Sequence, residues 1–109
     1  VKRFNGNEDF EQVMQASEQV MVLKHSSTCP ISQAAYEEYE SFAEEHDSLP
    51  IYYLVVQEER PLSNQIAEKV NIKHESPQVL LFKNGEVIWH ASHWKITYES
   101  LTNAVNEHK

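Results

Sequence analysis

Cys29 is the only cysteine among 109 residues, and it lies in the run Thr28-Cys29-Pro30-Ile31-Ser32. Its neighbours decide whether such a thiol is inert filling or a nucleophile. Proline is well tolerated at the first position of a helix, because its missing N–H would be unbonded there anyway. Pro30 therefore predicts a helix start with Cys29 as the N-cap. The sulfur would then face the free N–H groups of Ile31 and Ser32 and the positive end of the helix dipole. That setting favours the thiolate, the form of cysteine that attacks electrophiles. A reactive thiol at neutral pH is the expected chemistry, in preference to the inert buried cysteine common in cores. The six histidines suggest no competing metal chemistry. Zinc sites usually pair ligands at tight spacings on one element, whereas His25 and Cys29 span a strand end and a loop and His74 is distant, so no metal site is expected.

The elements that must hold Cys29 follow from hydrophobic periodicity. Val20 to Lys24 reads as a buried strand ending just before the cysteine. Ile31, Ala35, Tyr39 and Phe42 mark one face of a helix from Pro30 to about His46, and its other face carries Glu37, Glu38, Glu40, Glu44 and Glu45. Upstream, Asn7 is a good N-cap for a short helix with Phe10, Val13 and Met14 on its apolar face. Downstream, Pro50 introduces a second strand, Ile51 to Val56, rich in β-branched and aromatic residues. Arg60-Pro61 opens a helix burying Leu62, Ile66 and Val70. Val79 to Phe82 is a third strand, joined through Asn84-Gly85, a strong hairpin signal, to a fourth from Glu86 to about His90. Trp89 on that strand reads as a packing residue. Thr97 caps a last helix with Leu101, Ala104 and Val105.

The order α-β-α-β-α-β-β-α predicts one α/β domain over residues 1–109, a mixed four-stranded sheet with helices on both faces. Helical crossovers predict that the first three strands are parallel, and the hairpin predicts an antiparallel edge strand. In such sheets chemistry collects beyond the carboxyl ends of the strands. Cys29 lies just past the end of the first.

A strand, a Cys-x-x-(Cys/Ser) helix start and an X-Pro just before a strand that enters a hairpin together resemble the thioredoxin-like fold. Ser76-Pro77 before Val79 occupies the place of that fold's cis-proline, and proline makes a cis bond accessible, since its trans preference is only about 0.5–1 kcal/mol. More narrowly, His25-Ser26-Ser27-Thr28-Cys29-Pro30-Ile31-Ser32, Glu75-Ser76-Pro77-Gln78 and His90-Ala91-Ser92-His93-Trp94 resemble the monothiol bacilliredoxin family across nearly the whole chain. Glutaredoxins also use Cys-Pro-x-(Cys/Ser), but many carry Thr-Val-Pro at the cis-proline and a Gly-Gly pair after the last hairpin, where this chain has Glu75-Ser76-Pro77 and Ser92-His93-Trp94.

The resemblance implies an enzyme that removes bacillithiol, a low-molecular-weight thiol, from protein mixed disulfides. It implies catalytic roles for Cys29, Pro30 and Ser32, and substrate contacts from Thr28, Ser76, Pro77, His93, Trp94 and Lys95. Ser32 stands where a dithiol enzyme carries its resolving cysteine; its hydroxyl is expected either to donate to the Cys29 sulfur or to satisfy the helix end. Resolution must then come from an external thiol, so bacillithiolated client proteins, bacillithiol and that thiol are the expected partners, with no tightly bound cofactor. Because bacillithiol bears carboxylates, a local positive patch is expected, with Lys24, His25, His93 and Lys95 as candidates. A second reading is a redox sensor or binding module of the same fold, capped reversibly at Cys29 without turnover.

Composition narrows the partners further. Lys+Arg 9 against Asp+Glu 17 gives a net charge of −8, which argues against nucleic acid or an anionic membrane as a partner. Apolar runs such as Val20-Met21-Val22-Leu23 are far too short to span a bilayer. One cysteine cannot make an internal disulfide and no signal peptide is visible, so a reducing cytoplasm is the expected location.

Overall fold

A continuous apolar run at the centre of the sheet, Val20 to Leu23, organises everything else. The computed structural model describes residues 2–46 and 48–108. Its elements are β1 (Lys2–Arg3), α1 (Gly6–Ala16), β2 (Gln19–His25), α2 (Pro30–Glu44), β3 (Ile51–Val55), α3 (Arg60–Val70), β4 (Gln78–Lys83), β5 (Glu86–Ser92), a 3-10 turn (His93–Lys95) and α4 (Tyr98–Glu107). In β2 the side chains alternate between faces. Met21 and Leu23 pack with Tyr39, Phe42 and Leu101 under α2 and α4. Val20 and Val22 pack with Phe10, Leu62 and Ile66 under α1 and α3. Helices therefore cover both faces, as the apolar stripes predict.

The sheet has five strands in the order β1-β3-β2-β4-β5, one more than expected. The extra strand is the two-residue β1, whose Lys2 and Arg3 pair in parallel with Tyr52 and Tyr53. Phe4, the next residue, anchors it: its N–H donates to the Tyr53 carbonyl at 2.9 Å, and its ring stacks on Tyr52 at 4.6 Å between centroids. A two-residue strand has no periodicity to read, so only its partners reveal it.

The expected parallel run of three strands is also corrected. β2 and β3 are parallel through α2, but β4 runs antiparallel to β2, with Lys24 opposite Gln78. The reason lies in the connection. After α3 the chain passes through Asn71 in the left-handed region (φ 56°) and stays irregular to Pro77. Residues 71–77 reach roughly 23 Å when extended, more than the ~16 Å rise of an 11-residue helix such as α3. The run climbs back along α3 and enters β4 from the carboxyl end of β2. The hairpin is as predicted: Asn84 and Gly85 both take positive φ (52° and 83°), as a type I′ turn requires.

Helix ends follow the local chemistry with one shift. α1 is capped by Asn5 rather than Asn7, and the Asn5 N–H donates to Asp9 Oδ2 at 3.0 Å. Thr97 caps α4 in a reciprocal box: its Oγ1 accepts from the Ser100 N–H and Ser100 Oγ accepts from the Thr97 N–H, both at 3.0 Å.

Candidate active site

Pro30 begins α2 and Cys29 is its N-cap, with extended backbone (φ −107°, ψ 122°) that aims the loop before it at the end of β2. The Cys29 carbonyl accepts the first helical bond, from the Gln33 N–H at 3.1 Å. Cys29 is a free, partly exposed thiol. The expected hydrogen bonds from Ile31 and Ser32 to the sulfur are not made: the N-cap side chain has no capping bond. The positive end of a 15-residue helix still points at it.

Ser32 is fully buried, and its hydroxyl accepts from the Ser26 N–H at 2.9 Å. That bond uses a lone pair of the Ser32 hydroxyl, leaves its hydrogen free, and ties the loop before the cysteine to the first turn of α2. A residue the sequence did not single out completes the tie. Gln57, just past the carboxyl end of β3, donates from Nε2 to Ser26 Oγ (2.7 Å) and Thr28 Oγ1 (3.2 Å), and its Oε1 accepts from the Ser27 N–H (3.2 Å). Thr28 therefore serves as a loop anchor here. The signal that would have found Gln57 is positional, since polar residues beyond parallel strand ends line such sites.

The second wall is the segment before β4. The Ser76–Pro77 peptide bond is cis. Because Lys24 opposes Gln78, Pro77 and His25 are the next residues outward at the same end of the sheet, the end from which the Cys29 loop departs. The Pro77 carbonyl accepts from the His93 N–H at 3.0 Å. Glu75 binds the same loop, accepting from Ser92 Oγ at 3.2 Å and lying 3.5 Å from His93 Nδ1. His93 itself takes a positive φ of 55°, which turns the chain sharply out of β5. The structure therefore brings together Cys29, Pro30, Ser76, Pro77 and His93 around one sheet end. Trp94 and Lys95 come next in the 3-10 turn, both exposed, and Trp94 keeps 70 % of its surface open. Trp89, by contrast, packs against the core under α2 and α4.

The expected positive patch is smaller than predicted. Lys24 exposes no surface and cannot meet a substrate. It occupies the α1–α3 face of β2, where Nζ donates to the Ser63 carbonyl (3.0 Å) and contacts His74 Nδ1 (3.2 Å). Burial lowers its pKa from 10.5 to about 8. His74 is lowered too, first by burial and then by the Lys24 and Arg60 charges. His25 falls on the opposite face beside Tyr36, with ring centroids 5.0 Å apart. Burial lowers its pKa against a smaller raising contribution from the Ser32 backbone, so neutral imidazole dominates at pH 7. Of the four candidates, only the Lys95 and His93 side chains remain exposed. Among the described residues, no three His, Cys, Asp or Glu side chains come together to hold a metal ion, and no helix is long and apolar enough to cross a membrane.

Comparison with known proteins bears on the family and the fold. The model of the monothiol bacilliredoxin BrxC family matches residues 2–101. One solved structure, of a protein assigned a thioredoxin fold and, provisionally, an oxidoreductase activity, is 47% identical, with a TM-score of 0.91 over 95% of this chain and 92% of its own. Fasciola hepatica thioredoxin shares the fold at 14% identity, with a TM-score of 0.82 and full coverage of both chains. Malassezia sympodialis thioredoxin does so at 23% identity and a TM-score of 0.78, covering 99% of this chain and 90% of its own.

Proposed function

This chain belongs to the monothiol bacilliredoxin family, and on that premise we propose that it removes bacillithiol from protein mixed disulfides through Cys29. The observation that carries the reading is the pairing of one partly exposed thiol at the start of α2 with a buried serine, not a cysteine, three residues on. The Cys29 thiolate attacks the bacillithiol sulfur. The old disulfide breaks, the client leaves as its thiolate, and bacillithiol is now disulfide-bonded to Cys29. An external thiol, bacillithiol itself or a partner protein's cysteine, attacks the bacillithiol sulfur of that adduct. The result is a new disulfide in solution and a regenerated Cys29 thiolate. Ser76 and Pro77 align the substrate backbone, and Lys95 meets bacillithiol's carboxylates.

Mass spectrometry after mixing reduced protein with bacillithiol disulfide tests this. One adduct on Cys29 is expected, long-lived without added thiol, and none in Cys29→Ser. Ser32→Cys should shorten its life, because a thiol held beside the bond has a large effective-concentration advantage. No adduct, or modification by glutathione disulfide at the same rate, would overturn the assignment.

A further inference from the structure

Beside the cysteine, a groove of about 310 Å³ runs between α2 and the turn that succeeds β5. Ile31, Ala34 and Ala35 from α2 and Ile96 from the turn form its apolar floor, and Trp94 forms one wall. It begins at the reacting end, because Ile31 is two residues past Cys29 and His93 is bonded to the Pro77 carbonyl. Its far rim is acidic, with Glu37 and Glu38. The helices on either side, Pro30–Glu44 and Tyr98–Glu107, contain no lysine or arginine, and among the described residues none of their carboxylates is in an ion pair.

We infer that this groove seats the protein half of the mixed disulfide, and that the partner it fits is a client segment with an apolar side chain next to a lysine or arginine, close to the modified cysteine. The inference rests on the function proposed above. Ala34 and Ala35 in the floor leave room for one large side chain, and the volume is at the low end for sites that enclose a ligand. An exposed tryptophan face attracts a lysine or arginine, and the Glu37 carboxylate at the rim attracts it further, whereas the Glu38 carboxylate beside it already accepts from the Tyr98 N–H at 3.1 Å. The other candidate occupants carry the wrong charge. A second copy would bring −8 against −8, and the carboxylates of bacillithiol would face the same acidic helices.

Two arms test it. In the first, fluorescence anisotropy measures two labelled peptides on the Cys29→Ser protein, with serine in place of the peptide cysteine so that no chemistry intervenes. One peptide has leucine and arginine flanking that serine, the other leucine and glutamate. The basic peptide should bind about tenfold more tightly, with the preference shrinking at high salt. Trp94→Ala and Glu37→Gln should each reduce that preference severalfold. In the second arm, the cysteine forms of both peptides are offered as bacillithiol disulfides to the wild-type protein, and kcat/KM should rank them in the same order. Equal affinities, a preference unchanged in both variants, or self-association of the protein displaced by peptide would overturn the inference. Selective binding without bacillithiol turnover would instead overturn the proposed function and leave the docking surface standing.

Discussion

Lys24→Met offers the sharpest test of the energetics around the site. Lys24 exposes no surface, and burial lowers its pKa from 10.5 to about 8. That difference corresponds to roughly 3 kcal/mol of penalty for holding the ammonium inside the fold. Linkage gives the sign. Below about pH 8 the lysine is charged in both folded and unfolded chains, so the penalty is fully present. Between about 8 and 10.5 the folded chain has released the proton and the unfolded chain has not, so wild-type stability gains on the variant as pH rises. Methionine fills much of the same volume without a charge. Its own cost is the lost donor to the Ser63 carbonyl and His74 Nδ1, on the order of 1–2 kcal/mol. Lys24→Met should therefore be more stable than wild type by about 1–2 kcal/mol at pH 7. At pH 10 it should be equal or slightly less stable. Urea denaturation of both proteins at the two pH values reads the difference, and groups common to both cancel except His74, whose pKa the Lys24 charge lowers. A difference that does not change with pH would refute the argument.

Two further substitutions probe the core and the loop. Tyr39 is fully buried and donates its hydroxyl to the Tyr52 carbonyl at 2.7 Å, so Tyr39→Phe should lower stability by about 1–2 kcal/mol in urea denaturation. Gln57→Ala removes the side chain that bonds Ser26, Ser27 and Thr28; exchange at Cys29 should slow severalfold in stopped-flow measurements, while stability changes by less than about 1 kcal/mol because the side chain is exposed.

Features that depend on near neighbours in the chain are legible in the residues themselves. The period of Ile31, Ala35, Tyr39 and Phe42, the helix start at Pro30, the Asn84-Gly85 turn and the proline before β4 are local signals, and each is found in its place. Features that escape depend on partners distant in sequence. Lys2 and Arg3 become a strand only because Tyr52 and Tyr53 lie beside them. The direction of β4 is set by the path of residues 71–77, not by the apolar pattern within it. Lys24 reads as an accessible cation at a strand end, and its burial depends on Ser63 and His74. Ser32 reads as a partner of the nearby sulfur, and the bond its hydroxyl accepts from the Ser26 N–H crosses the loop. Gln57 belongs to the site solely through tertiary contacts.

The central claim is that Cys29 turns over rather than merely carrying a cap. The direct measurement supplies catalytic amounts of the protein with a bacillithiolated client and excess bacillithiol, and counts reduced client released per Cys29. Many equivalents per Cys29 are predicted with wild-type protein, and only the uncatalysed background with Cys29→Ser. Release that stops at one equivalent, with bacillithiol retained on Cys29 in the presence of free thiol, would contradict the account and identify the protein as a reversible sensor.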